Sequence, residues 1–86
     1  MRTYPVPIKI TAFDRQGLMS DISTLLNAED VNIVNVNVRV DHDSVKADLA
    51  DIRLIVEVKD IGQLSRVLNR IENLANVLEA QRLRGG

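Results

Sequence analysis

Ile10-Thr11-Ala12-Phe13-Asp14-Arg15-Gln16-Gly17-Leu18-Met19, residues 10–19, is where the chain changes from one hydrophobic period to another. Before it, Val6, Ile8, Ile10 and Ala12 alternate with Pro7, Lys9, Thr11 and Phe13, the period-two pattern of a strand buried on one face. After it, Leu18, Ile22, Leu25 and Leu26 recur at i, i+4, i+7 and i+8, which draws one apolar stripe along a helix that fades near Ala28. The stretch is therefore a strand-to-helix turn. Asp14 is expected to cap the helix, because a short acidic side chain there can accept from free helical amides and suits the positive end of the dipole.

Working outward, Ile33 to Val40 alternates again, with Val34, Val36, Val38 and Val40 on one side and Asn35, Asn37 and Arg39 on the other. Asp41-His42-Asp43-Ser44 is a cluster of turn formers, and Ala47 to Val58 resumes period two through Ile52, Leu54, Val56 and Val58, completing a hairpin. A second helix is predicted from about Ile61 to Glu72, with Leu64, Val67, Leu68 and Ile71 inside, Arg66, Asn69, Arg70 and Glu72 outside, and Asp60 as its cap. Asn73 to Asn76 breaks that period. Val77 to about Arg84 reads as a last strand with irregular alternation.

The order is βαββαβ, an α+β ferredoxin-like sandwich in which two helices cover one face of a four-stranded antiparallel sheet. Strands one and three then lie in the centre, and strands two and four form the edges. Strand two has no proline and only Arg39 as a charged guard, so it is predicted to meet a second copy and form a homodimer.

Eighty-six residues suit one domain, residues 1–86, and the text reads as a piece of a larger protein. The core is aliphatic: 45% of residues are apolar, with one Tyr, one Phe and no Trp. Eleven basic residues against twelve acidic ones leave a net charge of −1, so no global field draws the chain to DNA or an anionic membrane. No window approaches the roughly 20 apolar residues that span a bilayer, and cysteine is absent, as suits a cytoplasmic protein.

No catalytic triad, metal cluster or phosphate loop can be assembled, so the segment is read as having no catalytic residue, metal or cofactor. His42 sits between Asp41 and Asp43 in a turn and is read as a solvated loop histidine. The turn from Asp14 to Leu18 supports two readings. One is a plain corner with a flexible glycine; the other uses free amides near Gly17 and Leu18 to hold a ligand carboxylate, with Asp14 neutralising its ammonium. Asn32 is a second polar candidate, in an Asp30-Val31-Asn32 turn that lacks a glycine. The open sheet face offers Lys9, Thr11 and Phe13 from strand one and Arg53, Ile55 and Glu57 from strand three. One ring argues against sequence-specific RNA reading and leaves docking on a large RNA assembly through Lys9, Arg39 and Arg53 as an alternative.

Residues 10–19, then Asp21-Ile22, Val31-Asn32-Ile33, Ile55-Val56-Glu57-Val58 with Leu64, and Arg82 resemble an ACT domain. More narrowly, the chain is similar to the C-terminal ACT domain of Rel/SpoT-type GTP pyrophosphokinases, the (p)ppGpp synthetases and hydrolases of the stringent response. The resemblance implies a non-catalytic regulatory module that pairs side by side and binds small amino acids at the interface. It places the ligand against Asp14, Gln16, Gly17 and Leu18 and against Asn32 and Ile33. Asp14 and Gln16 stand where many amino-acid-binding ACT domains have asparagine and proline. The implied partners are a second copy, the other domains of the parent enzyme and the ribosome. An assembly module without ligand and a ribosomal RNA-docking domain are the alternatives.

Overall fold

The computed structural model describes residues 2–41 and 48–84, so the expectations for His42 and Asp43 lie outside the described residues. The elements are β1 (Tyr4–Phe13), α1 (Leu18–Ala28), β2 (Asn32–Asp41), β3 (Leu49–Val58), α2 (Ile61–Glu72) and β4 (Val77–Arg82). The sheet runs β2-β3-β1-β4 with every neighbouring pair antiparallel, the predicted order. Val6, Ile8, Ile10 and Ala12 of β1 and Ala50, Ile52, Leu54, Val56 and Val58 of β3 are buried, and both helices close over them with Ile22, Leu26, Val67 and Ile71. The core is therefore two central strands under two amphipathic helices.

Two bulges account for the places where alternation in the sequence is misleading. Ile33 pairs with Val56 but Asn35 pairs with Ile55, so Val34 is an extra residue that lets Ile33 and Val36 share the helix-covered face. In β4, Thr11 pairs with Glu79 while Ala12 pairs with Val77, which makes Leu78 the extra residue and puts Val77 and Ala80 on one face. The irregular pattern of the last strand is that bulge.

Pro5 and Pro7 stand in a central strand, where a missing donor would break the ladder. Pro7 O accepts from Leu83 N at 2.9 Å, so Pro7, and by alternation Pro5, direct their backbones toward the β4 side. Pro7 has no N–H to return. The ladder accordingly stops with Arg82 opposite Ile8, rather than reaching Arg84, and both prolines occupy the length of β1 that β4 leaves uncovered.

The helix ends are closed from within. Asp60 caps α2, its Oδ1 accepting from Gln63 N at 2.7 Å. Gln63, 3% exposed, is the buried polar side chain among the described residues. Its Oε1 accepts from Lys59 N at 2.8 Å and its Nε2 donates to Glu29 O, at the end of α1, at 2.8 Å. Above that bond the Glu29 carboxylate meets Arg70 at 3.0 Å and Arg66 at 3.8 Å. Helix α1 ends with Asp30 at φ 58°, and Val31 N returns to Leu26 O at 2.9 Å. This is a left-handed cap in which an aspartate takes the place glycine fills at least cost.

Gln63→Ala leaves the part-buried Glu29 carbonyl and Lys59 amide without their partner and should cost about 1 kcal/mol, seen as a lower urea midpoint with an unchanged slope. Asp30→Gly removes a left-handed side chain and should stabilise the fold by about 0.5 kcal/mol, raising the same midpoint.

Candidate functional site

Phe13 N donates to Asn76 O at 2.8 Å and Asp14 N to Asp48 O at 2.9 Å, so the main chain is still bound on both sides as it leaves β1. It then turns through residues 15–17 into α1. Gly17 is the N-cap at φ 83° with no side-chain cap, so the expected capping by Asp14 is corrected: Asp14 lies three residues too early, beyond an extra turn. A Cβ on Gly17 would meet only Arg15 Nη1, at 3.8 Å, so the glycine answers the backbone angle rather than a lack of room.

The free donors differ in part from those expected. Leu18 N already bonds Arg15 O at 3.3 Å, whereas the amides of Gly17, Met19 and Ser20 have no partner among the described residues. Asp14, Gln16 and Gly17 are exposed, Leu18 is buried in the core, and the Asp14 carboxylate is likewise without a partner among the described residues. The turn thus presents backbone donors and one carboxylate to solvent, a pairing that matches the two ends of a zwitterion.

Arg15 holds this turn in place, and sequence reasoning passed over it. Its Nε donates to Ala75 O at 3.1 Å, its Nη2 to Asp21 Oδ2 at 2.8 Å and its Nη1 to Gln16 O at 3.3 Å. One guanidinium therefore fastens the turn to the first turn of α1 and to the segment between α2 and β4. The available signal was Asp21, an acid in the first turn of the helix that an arginine just before it can reach.

Asn32 and Ile33 are not brought to the turn. They follow the far end of α1, whose eleven residues make it about 16 Å long. The register agrees: Phe13 pairs with Leu49, which pairs with Asp41, at one end of the sheet, while Asn32 pairs with Glu57, which pairs with Pro5, at the other. Asn32 Nδ2 donates to Glu57 Oε1 at 3.0 Å, leaving its carbonyl oxygen available, and Ile33 packs partly against the core. Between the turn and Asn32 runs the outer edge of β2, with Val34 55%, Val36 44% and Val38 44% exposed.

Arg15→Ala should cost about 1 kcal/mol and raise amide exchange at residues 73–77, with Arg15→Lys failing to restore protection because an ammonium cannot span three separate acceptors.

Comparison with known proteins agrees with this architecture. The ACT domain profile matches residues 1–82. The GTP pyrophosphokinase of Escherichia coli (strain K12) is 37% identical over 82 residues, which cover 95% of this chain and 11% of that protein. The GTP pyrophosphokinase of Haemophilus influenzae is 38% identical over 80 residues, covering 93% of this chain and 10% of that protein. The chain thus spans about a tenth of these relatives' length. The crystal structure of the ACT domain from the GTP pyrophosphokinase of Chlorobium tepidum superposes with a TM-score of 0.76 at 18% identity, covering 95% of this chain and 100% of that one. With the order of elements, the register and the profile match all in agreement, the chain belongs to the ACT domain family.

Proposed function

We propose that this chain is the regulatory module of a GTP pyrophosphokinase acting in (p)ppGpp metabolism, and that it senses a small amino acid at an interface between two copies, without chemistry of its own. The observation that carries the reading is the separation of the half-sites, with the donor-rich turn at Asp14 to Ser20 at one end of the sheet and Asn32 at the other.

A second copy resolves that separation. Antiparallel pairing of two β2 edges sets the start of β2 in one copy beside the end of β2 in its partner, which is the end of the sheet where the partner's β1–α1 turn lies. Each interface then has two equivalent sites, with Asp14, Gln16, Gly17 and Leu18 from one copy and Asn32 and Ile33 from the other. The exposed valines of β2 favour such pairing, since burying three of them removes apolar surface worth roughly 1 kcal/mol or more each when complete. In this reading the free amides of Met19 and Ser20 take the ligand carboxylate, Asp14 takes its ammonium, and the Asn32 carbonyl oxygen adds an acceptor.

An amide-resonance titration against a panel of amino acids tests the proposal. Saturable shifts at residues 14–20 and 32–34, for one or two side-chain types only, are expected. Val36→Lys, at an exposed edge position, should weaken self-association in sedimentation at least about tenfold and abolish the paired shifts. Silence across the panel, with self-association intact, would leave assembly as the role; full ligand response in the monomeric variant would refute the shared site.

A further inference from the structure

The face of the sheet opposite the helices carries a concentrated group of cations that neither the core nor the turn uses. In the register, Arg39 of β2 stands opposite Asp51 of β3, which stands opposite Thr11 of β1; one row along, Asn37 faces Arg53, and Arg53 faces Lys9. Asp51 organises the group: its Oδ2 lies 3.9 Å from Lys9 Nζ and its Oδ1 3.4 Å from Arg53 Nε. Arg39 has no partner among the described residues. Two adjoining hollows of about 160 and 400 Å³ share Arg39 and Asp51 in their lining.

We infer that this patch binds the phosphates of a nucleoside polyphosphate, with the base laid on Phe13. Lys9, Arg39 and Arg53 against Asp51 leave two positive charges within the group, and Glu79, opposite Thr11 in the same row, leaves one over the wider row, in a chain whose net charge is −1. These cations lie within two rows and three strands, an area of about 10 by 7 Å, which suits a run of two or three phosphates. Arg39, without a partner among the described residues, offers a planar fork to phosphate oxygens, while Lys9 and Arg53 are held near Asp51. Phe13 is 37% exposed on the same face, beside Leu49 and one row beyond Thr11 and Asp51. Its distance from Lys9, four residues along one strand, is about 13 Å, the reach from a nucleobase to a terminal phosphate.

The same observations disfavour an RNA strand as the occupant. RNA-reading sheets stack several bases on rings in their central strands and follow the backbone with a basic track. Here a single ring lies at the end of β1, and the patch is bounded by Glu79 opposite Thr11 on one side and by Glu57 further along β3 on the other.

Amide and side-chain resonances of the 86-residue chain, titrated with ATP, GTP, pyrophosphate and a single-stranded oligoribonucleotide, test the inference. Either triphosphate should give saturable shifts confined to the neighbourhood of Lys9, Thr11, Phe13, Arg39, Asp51 and Arg53, and binding should weaken as salt rises. Arg39→Gln should lower the affinity about threefold and Arg39→Gln with Arg53→Gln about tenfold. Phe13→Leu should lower nucleotide affinity and leave pyrophosphate unaffected. Three outcomes overturn it: no saturation by about 5 mM nucleotide, pyrophosphate binding as tightly as the triphosphates with Phe13 unmoved, or the oligonucleotide saturating the face at lower concentration than either nucleotide. None of these outcomes depends on the amino-acid site, whose titration perturbs residues 14–20 and 32–34 instead.

Discussion

A backbone group that leaves a sheet without a partner must find water, a side chain or another strand, and the margins of this sheet meet that constraint in different ways. β4 is short, bulged at Leu78 and charged at Glu79 and Arg82. The uncovered length of β1 carries Pro5 and Pro7, which offer no donor to an incoming strand. β2 has ten residues, no proline and a row of exposed valines. The protein therefore closes two margins by its own sequence and leaves the third able to accept a strand. The direction in which a partner can approach follows from where the prolines are as much as from where the valines are.

The two ends of α1 are held by different means. At its C-terminal end, Gln63 reaches from α2 to Glu29 O while the Glu29 carboxylate meets Arg66 and Arg70. The two arginine pairs are half exposed and contribute little in water, whereas the buried glutamine bonds resist opening because breaking them strands polar groups away from solvent. The junction that aims Asn32 is consequently stiff. At the N-terminal end the turn is exposed, and one guanidinium, itself bound to Ala75 O, sets its position. Opening that end breaks exposed rather than buried bonds, and Arg15 is the group that ties it to the segment joining α2 to β4.

Most of the fold was legible because period two and period 3.6 are distinct, and β1, α1, β3 and α2 display them with few interruptions. The hydrophobic stripes of both helices are the residues that the structure buries, save Leu68, which is only partly buried. The misreadings share a cause. A bulge adds one residue and reverses parity, so Ile33 and Val77 fall out of phase with their strands in the text although they lie on the correct face in space. Asp14 looked like a cap because nothing local shows that the chain makes another turn before α1 begins. Gln63 was missed as a polar anchor because its side-chain bonds, one local to Lys59 N and one distant to Glu29 O, both concern backbone atoms, which carry no sequence signature; the Asp60-x-x-Gln63 spacing was the one trace of it. For the candidate site, the turn was readable from residue types, but the distance from Asp14 to Asn32 was not, since it depends on the length of α1 and the register of three strands.

That distance determines what kind of regulation the fold can support. A ligand that touched only one copy would stabilise that copy and report nothing about its neighbours. A ligand held between the turn of one copy and the β2 start of another has differential affinity for the paired state by construction, and differential affinity is what shifts an equilibrium. Linkage then runs both ways: whatever factor the ligand adds to association, association adds to the ligand's affinity. In the proposed arrangement the signal would be the state of the β2 edge, and the donors at the start of α1 would act through the copy they help to hold.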